Sequence, residues 1–173
     1  MQDMLLQIEP LIPALRRYAR SLLRDHPAAD DLVQDCLERA VSNWNQRKDR
    51  NARAWIFTIL HNLAMTRLRR ATARPRHIDL DNAQEEGFAQ APSQEHGLKY
   101  RELLAALDRL PEEQKTVLLL ATVEGLSYAE TAGVLDIPLG TVMSRLSRAR
   151  ERLLKEMDGQ QRASPIAHLR SVK

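Results

Sequence analysis

Residues 127–153 constrain the fold of this chain most strongly, because they predict two short helices joined by a tight turn. Ser127 followed three residues later by Glu130 forms a capping box, which marks the start of a helix. The segment Gly133–Pro138 contains the residues that end this helix, and a second helix begins directly after it. Two helices connected in this way form a helix-turn-helix.

The second helix of this motif has one apolar face and one face of small and basic residues. The apolar positions recur at four, three and four residues, at Val142, Leu146, Ala149 and Leu153. The opposite face carries Thr141, Ser144, Arg145, Arg148 and Arg152. Small residues let a helix lie close in a major groove, and arginine can bond guanine edges or phosphate. This pattern favours DNA binding; the alternative is a solvated, salt-bridged helix in an ordinary bundle.

The composition favours an all-α protein of the cytoplasm. Only 6 of 173 residues are glycine, and strand-like alternation is absent. No segment approaches the roughly 20 apolar residues of a membrane span, and no signal-peptide pattern occurs. The single cysteine, Cys36, cannot form an internal disulfide, which indicates a reducing compartment. We therefore expect a cytoplasmic location without membrane insertion.

The sequence contains no pattern typical of an active site. Its five histidines are scattered without the spacing of metal ligands, and neither a glycine-rich phosphate loop nor a serine elbow occurs. We therefore expect no catalytic residue, no metal, no cofactor and no enzymatic activity.

The apolar periodicity is interrupted once, between two helical blocks. Residues 73–97 contain five acidic and two basic residues together with Pro, Gly and Gln, which is typical of a flexible linker. The sequence thus predicts two small helical domains, at 1–72 and 98–158, joined by a flexible acidic linker. The second domain ends in the helix-turn-helix, and a basic flexible tail follows at 159–173.

Two helices of the first domain have polar faces whose roles the pattern leaves open. In residues 30–44, Val33 and Ala40 lie on the inward face of the helix. The opposite face is polar and resembles a plain solvated surface. In residues 52–70, arginines alternate with Trp55 and Asn62, which suits single-stranded nucleic acid. The alternative places Trp55 in the core and leaves the arginines as solubilising residues.

Four segments of the chain together resemble the bacterial extracytoplasmic-function (ECF) sigma factors. In order, they are DDLVQDCLERA, ARAWIFTILHNLAMTRLRR, LDRLPEEQKTVLLL and EGLSYAETAGVLDIPLGTVMSRLSRARERL. Each segment alone is moderately specific, whereas the ordered set across an acidic linker is highly specific. The resemblance covers about residues 8–157, nearly the whole chain.

The resemblance implies sigma regions 2 and 4, and it assigns a role to each polar face. Region 2 is expected to bind the β′ clamp helices of core RNA polymerase through Asp31, Leu32, Gln34, Asp35 and Arg39. It is also expected to hold the melted −10 strand through Arg50, Asn51, Arg53, Trp55, Asn62, Arg67 and Arg70. Region 4 is expected to read the −35 duplex through Thr141, Ser144, Arg145, Ser147 and Arg148. The implied partners are therefore core polymerase, including its β flap, and promoter DNA.

The family is usually held inactive by an anti-sigma factor, so we also expect such a partner, with the chain monomeric when free or in a 1:1 complex with it. Three positions depart from the family pattern. Ala28 replaces a frequent acid, and Thr66 replaces a frequent Asp. Met143 stands where some relatives have Arg, which implies a different −35 preference, since methionine cannot bond guanine.

Two other functions remain as alternatives. A stand-alone helix-turn-helix regulator would bind duplex DNA strongly without polymerase, although nothing in the sequence resembles a dimerisation helix. A sigma-like adaptor would act as a decoy for protein partners, although base-reading positions in both domains argue against it.

Overall fold

The computed structural model describes the backbone of residues 2–47, 51–73 and 94–163. Every regular element in these ranges is helical, which confirms the all-α prediction. The α-helices are α1 (Gln2–Ile8), α2 (Ile12–Leu23), α3 (His26–Ser42), α4 (Ala52–Ala73), α5 (Gln94–Arg109), α6 (Glu112–Leu118), α7 (Tyr128–Leu135) and α8 (Leu139–Ala163). Short 3-10 turns follow α1 and α3, and one π-helical turn, Leu119–Val123, follows α6.

The chain forms two compact units, and each unit combines two separate segments of the sequence. One unit contains Met1–Ile78 with Leu119–Met143, and the other contains Asp79–Leu118 with Ser144–Lys173. The predicted division into domains at 1–72 and 98–158 stays a prediction. What the structure adds is that α7 and the turn before it share a core with the N-terminal helices.

The core of the first unit is built by the apolar faces of α2, α3 and α4. Its largest fully buried side chains include Leu15 and Tyr18 of α2, Leu32 of α3, and Phe57 and Leu60 of α4. The rings of Tyr18 and Phe57 meet edge to face, with their centroids 5.7 Å apart. The same cluster also includes residues from the second part of the unit, namely Leu119, Leu120, Leu126 and Val134.

The second unit is formed by α5, α6 and most of α8. Ala106 of α5 and Leu110, directly after α5, are buried, as are Leu146 and Ala149 of α8. Two ion pairs add to this packing, one exposed and one formed by the buried Lys115. Arg109 Nη1 lies 3.0 Å from Glu156 Oε2, and Lys115 Nζ lies 2.9 Å from Asp108 Oδ1.

The helix-turn-helix forms where the sequence predicts it. The Ser127 side chain accepts from the Glu130 backbone N–H at 3.2 Å, and the Glu130 carboxylate accepts from the Ser127 N–H at 2.6 Å. Gly133 lies within α7, which ends two residues later, and Asp136 turns the chain in the left-handed region at φ 52°. α8 then starts at Leu139, directly after the proline.

The structure corrects the predicted bounds of the linker and of the tail. α4 extends to Ala73 and α5 already begins at Gln94, so the predicted linker at 73–97 is shorter at both ends. α8 continues to Ala163, so the first five residues of the predicted tail are helical. Residues 74–93 and 164–173, which hold the rest of both segments, lie outside the described residues.

Candidate nucleic-acid and polymerase interfaces

The exposed side of α8 presents part of the predicted −35 set. Val142, Leu146 and Ala149 are buried, which fixes the rotation of the helix about its axis. Ser147 and Arg148 lie on the exposed side. The other three residues of the set, Thr141, Ser144 and Arg145, are half-buried.

Arg145 is already engaged in an ion pair. Its Nη2 lies 3.0 Å from Glu113 Oε2, and its side chain is 24% exposed, against 72% for that of Glu113. An ion pair with so exposed a partner contributes little to stability. Arg145 can therefore exchange Glu113 for a phosphate at low cost, whereas Arg148 is exposed as it stands.

The start of α4 places two predicted −10 residues against α7 and the segment that leads into it. Asn51 Oδ1 accepts from the Ala54 backbone N–H at 3.1 Å, so Asn51 caps α4. Its amide nitrogen donates to the Glu130 carboxylate. Arg53 donates to the backbone carbonyl of Glu124. Both residues thus bond to groups of the chain itself.

Glu124 forms the most buried ion pair in the described part of the chain. Arg17 Nε and Nη2 donate to its two carboxylate oxygens at 2.9 and 2.7 Å. The Glu124 side chain is 1% exposed and that of Arg17 is 36% exposed. The hydrogen bond with Glu124 raises the pKa of Arg17. Sequence patterns did not indicate this pair, because its members lie 107 positions apart.

Glu130 serves two partners at once. The pKa of its carboxyl is lowered, first by the hydrogen bond from the Ser127 backbone and then by the Ser127 side chain. Asn51 and the charge of Arg53 lower it further. The same carboxylate therefore both caps α7 and holds the residue that caps α4.

Trp55 packs against the core, as the second of the two sequence interpretations predicts, and it remains partly exposed. Its ring meets that of Trp44 edge to face with centroids 6.1 Å apart. The guanidinium carbon of Arg47 lies 3.7 Å from the centre of the Trp44 ring. The sequence patterns did not predict this contact between Arg47 and Trp44.

The remaining −10 residues lie along α4 and do not share one face. Asn62 and Arg70 are exposed. Trp55 and Asn62 are seven residues apart and therefore lie on the same side of the helix, whereas Arg53 lies about half a turn away from Asn62. Arg50 lies outside the described residues. The predicted −10 residues that the structure describes are therefore distributed along and around α4 and do not form a single pocket.

Arg67 connects α4 to the predicted polymerase surface on α3. Its Nη2 lies 3.1 Å from Asp35 Oδ2, and its Nη1 donates to the Ala28 carbonyl at 2.7 Å. Arg67, predicted to bind the −10 strand, is thus bonded to Asp35, which is predicted to bind polymerase.

The predicted polymerase residues of α3 form an exposed polar face with one exception. Asp31, Gln34, Asp35 and Arg39 are all exposed. Leu32, by contrast, is completely buried. Its side chain anchors α3 in the core and is not part of the surface predicted to meet polymerase, because the period of the helix turns it toward α2 and α4.

Comparison with known proteins first defines the class. The sigma-70 region 4 family matches residues 100–153, which include the helix-turn-helix, and the family described as the sigma2 domain of PhyR matches residues 8–61. The described helices and these two matches define a sigma-70-type transcription factor.

Individual relatives then define the family. The chain is 37% identical over 165 residues to the ECF RNA polymerase sigma factor EcfG of Rhodopseudomonas palustris, covering 93% of this chain and 90% of EcfG. It is 31% identical over 140 residues to the ECF RNA polymerase sigma-E factor of Escherichia coli, covering 73% of each. The chain therefore belongs to the family of ECF RNA polymerase sigma factors, as the four segments indicated.

The fold agrees with a solved structure of the same family. The sigma factor RpoE of Bartonella quintana, solved in complex with the anti-sigma factor NepR, superposes with a TM-score of 0.73 at 33% identity, covering 91% of this chain and 98% of RpoE. Among the helices that the structure describes, none combines the length and apolarity needed to cross a membrane.

Proposed function

We propose that this chain binds core RNA polymerase and directs it to promoters by recognising a −35 duplex and a melted −10 strand. The observation that carries the proposal is the basic, solvent-exposed side of α8 in a helix-turn-helix, within a chain of the ECF sigma family. Residues 141–155 carry five basic residues and one acidic residue. Such a surface suits the phosphates and base edges of a major groove.

In this proposal the C-terminal domain, residues 98–158, reads the −35 element. Ser147 and Arg148 support it by their exposure, and Thr141, Ser144 and Arg145 lie beside them on α8. Recognition helices of this motif contact base edges with their N-terminal residues, which is where this set lies.

The N-terminal domain, residues 1–72, is proposed to hold the melted −10 strand along α4. Asn51 and Arg53 would exchange their contacts with Glu130 and Glu124 for contacts with nucleic acid. Trp55 and Asn62 share one side of α4, and a ring beside an amide suits an unstacked base. The arginines farther along the helix, Arg67 and Arg70, would follow the strand backbone.

The exposed face of α3 is proposed to bind the polymerase β′ clamp helices. Asp31, Gln34, Asp35 and Arg39 offer carboxylate, amide and guanidinium groups to such a partner. We further propose that the β flap of polymerase binds the C-terminal domain. The chain itself would act as an initiation factor without enzymatic activity.

We also propose control by an anti-sigma factor in the cytoplasm. The support is the 33% identical RpoE, whose solved structure contains the anti-sigma factor NepR. The chain would then be monomeric when free and form a 1:1 complex with its inhibitor.

A sigma-like decoy is the second candidate, because the N-terminal match is to a sigma2 domain of PhyR. A decoy would bind the anti-sigma factor and fail to support transcription. The exposed basic side of α8 favours the first candidate.

The test is transcription by purified core polymerase with this protein on genomic fragments, including the region upstream of its own gene. Defined start sites that require the protein are expected, and their aligned upstream sequences would give both promoter elements. Core binding without any start site would favour the decoy, and absence of core binding by folded protein would favour a stand-alone regulator.

Two single substitutions separate the proposed surfaces. Arg148→Ala should weaken promoter recognition by about 1–3 kcal/mol and leave assembly with core polymerase intact, if it reads a base. Asp31→Asn should do the reverse, reducing affinity for core polymerase and leaving promoter recognition intact; Asp31 is exposed on α3. Equal losses for Arg148→Ala on intact and −35-mutated promoters would show that Arg148 holds phosphate instead.

A further inference from the structure

Met143 is an exposed side chain of the helix-turn-helix to which the proposed function gives no role. It is 54% exposed on α8, one position before Ser144. Its neighbours on the same side of the helix are Gly140 and Ser147, which are small and exposed. The thioether therefore protrudes beyond the adjacent residues on the side that the recognition helix turns toward solvent.

Within the described part of the chain, the space beside Gly140 at the start of α8 is open. A Cβ atom added at Gly140 would meet nothing within 4 Å. Nucleic acid can therefore approach this turn closely, and the longest side chain in the strip, Met143, would be the first to reach the floor of a groove.

Base edges in the major groove are polar with one exception. The 5-methyl group of thymine is the apolar feature that a major groove presents, and apolar side chains recognise it by contact. We infer that Met143 contacts the 5-methyl group of a thymine in the −35 element and so contributes to promoter specificity. This inference rests on the proposed −35 recognition by α8.

The surroundings of Met143 favour DNA over an apolar protein surface as the occupant. Leu139, one turn before Met143, is also exposed. One turn after Met143, however, the same side of α8 carries the polar Ser147 and not a further apolar residue. Around it, residues 141–155 carry five basic residues and one acidic residue. Duplex DNA complements this arrangement, because its phosphates lie along the edges of the major groove and the thymine methyl group lies within the groove.

The test removes the methyl group and the thioether separately. Holoenzyme formed from core polymerase and the full chain is titrated with a promoter whose −35 thymines are replaced one at a time by uracil, which lacks only the 5-methyl group. For the wild-type chain, one of these replacements should weaken binding about three- to fivefold. For Met143→Ala the same replacement should have no effect.

Two further variants of α8 serve as controls. Met143→Leu conserves an apolar side chain of similar volume and should retain the discrimination between thymine and uracil. Leu154 is 64% exposed and lies on the same side of α8, about 17 Å farther along the axis. Leu154→Ala should therefore behave as the wild type.

Several outcomes would overturn the inference while leaving the proposed function intact. These are an equal uracil effect in wild type and Met143→Ala, no uracil effect at any position, and a −35 element without A·T pairs. A uniform loss of affinity for core polymerase in Met143→Ala would point to a protein contact instead. If scrambling the whole −35 element does not weaken binding of the wild type, the proposed function itself fails.

Discussion

His61 is a buried base whose protonation opposes folding. It is 9% exposed, its Nδ1 lies 3.0 Å from the Tyr18 hydroxyl, and burial lowers its pKa to about 4. Because the unfolded chain has a histidine pKa near 6.5, it takes up the proton first as the pH falls. We expect the free energy of unfolding to fall by about 2 kcal/mol between pH 7.5 and pH 5, measured by urea titration.

The control for this prediction is His61→Gln, which keeps a polar partner for Tyr18 and does not titrate. Its free energy of unfolding should change less over the same pH interval. An identical pH dependence in both proteins would show that another group is responsible.

The bidentate pair of Arg17 and Glu124 should be the most costly ion pair to break. Arg17→Met leaves a carboxylate that is 1% exposed without its partner, so we expect a loss of about 2 kcal/mol in unfolding free energy. This value lies below the roughly 3–5 kcal/mol typical of breaking a fully buried pair, because water reaches Arg17, whose side chain is 36% exposed.

Arg16→Met provides a matched control on the same helix. Arg16 Nε lies 3.9 Å from Asp30 Oδ1, and both side chains are largely exposed, so the expected loss is below about 0.5 kcal/mol. Similar losses for the two variants would contradict the special role of the buried pair.

At the scale of residues, local patterns predicted the capping box of Ser127 and Glu130 and the buried face of α8, because both depend on near neighbours in sequence. The partners of Glu124 could not be predicted, because they are brought together by tertiary packing. Leu32 illustrates a second limit. A motif groups it with polymerase residues, whereas helical period places it in the core.

At the scale of elements, the contact of α7 with the start of α4 should restrain the proposed −10 residues. Glu130→Ala removes both the capping box and the bond to Asn51, whereas Ser127→Ala removes the box alone. We expect Glu130→Ala to bind a −10 single-stranded oligonucleotide about two- to tenfold more tightly than Ser127→Ala. The reason is that the hydrogen bond from Asn51 to the charged Glu130 carboxylate is lost and no longer competes with nucleic acid. Fluorescence anisotropy with the free protein measures both.

Because each variant weakens the cap of α7, each should also lose about 1 kcal/mol of stability. Equal affinities for the oligonucleotide would mean that the bond to Asn51 does not restrain it.

The helices themselves were predictable because their apolar spacing and end signals are local. Ser127 marked the start of α7, and α8 begins directly after Pro138. The bounds of the linker were less accurate. The residues at both ends of the predicted linker are helical although the segment is polar: α4 ends at Ala73 and α5 begins at Gln94.

At the scale of the whole molecule, the N-terminal helices should depend on residues 119–143 for part of their stability. Leu119, Leu120, Leu126 and Val134 belong to the same core as α2, α3 and α4. A chain ending at residue 78 should therefore lose at least about 2 kcal/mol, the contribution of burying one leucine. Both tryptophans, Trp44 and Trp55, remain in this fragment, so their fluorescence reports its unfolding in urea.

An unchanged urea midpoint for the fragment would show that this shared packing contributes no stability. The shared core was not predictable from sequence, because apolar periodicity shows which face of a helix is buried and not which helix covers it.

The burial of Cys36 makes this chain convenient for optical distance measurements. Its Sγ lies 3.6 Å from the Ile56 carbonyl oxygen, and burial raises its pKa to about 12. A thiol at that pKa is protonated at neutral pH and does not react with maleimide dyes. Because it is the single cysteine of the sequence, dyes will attach only at cysteines introduced by design. Donor and acceptor labels on α4 and α8 can therefore report the distance between these two helices on single molecules, with the native thiol left in place.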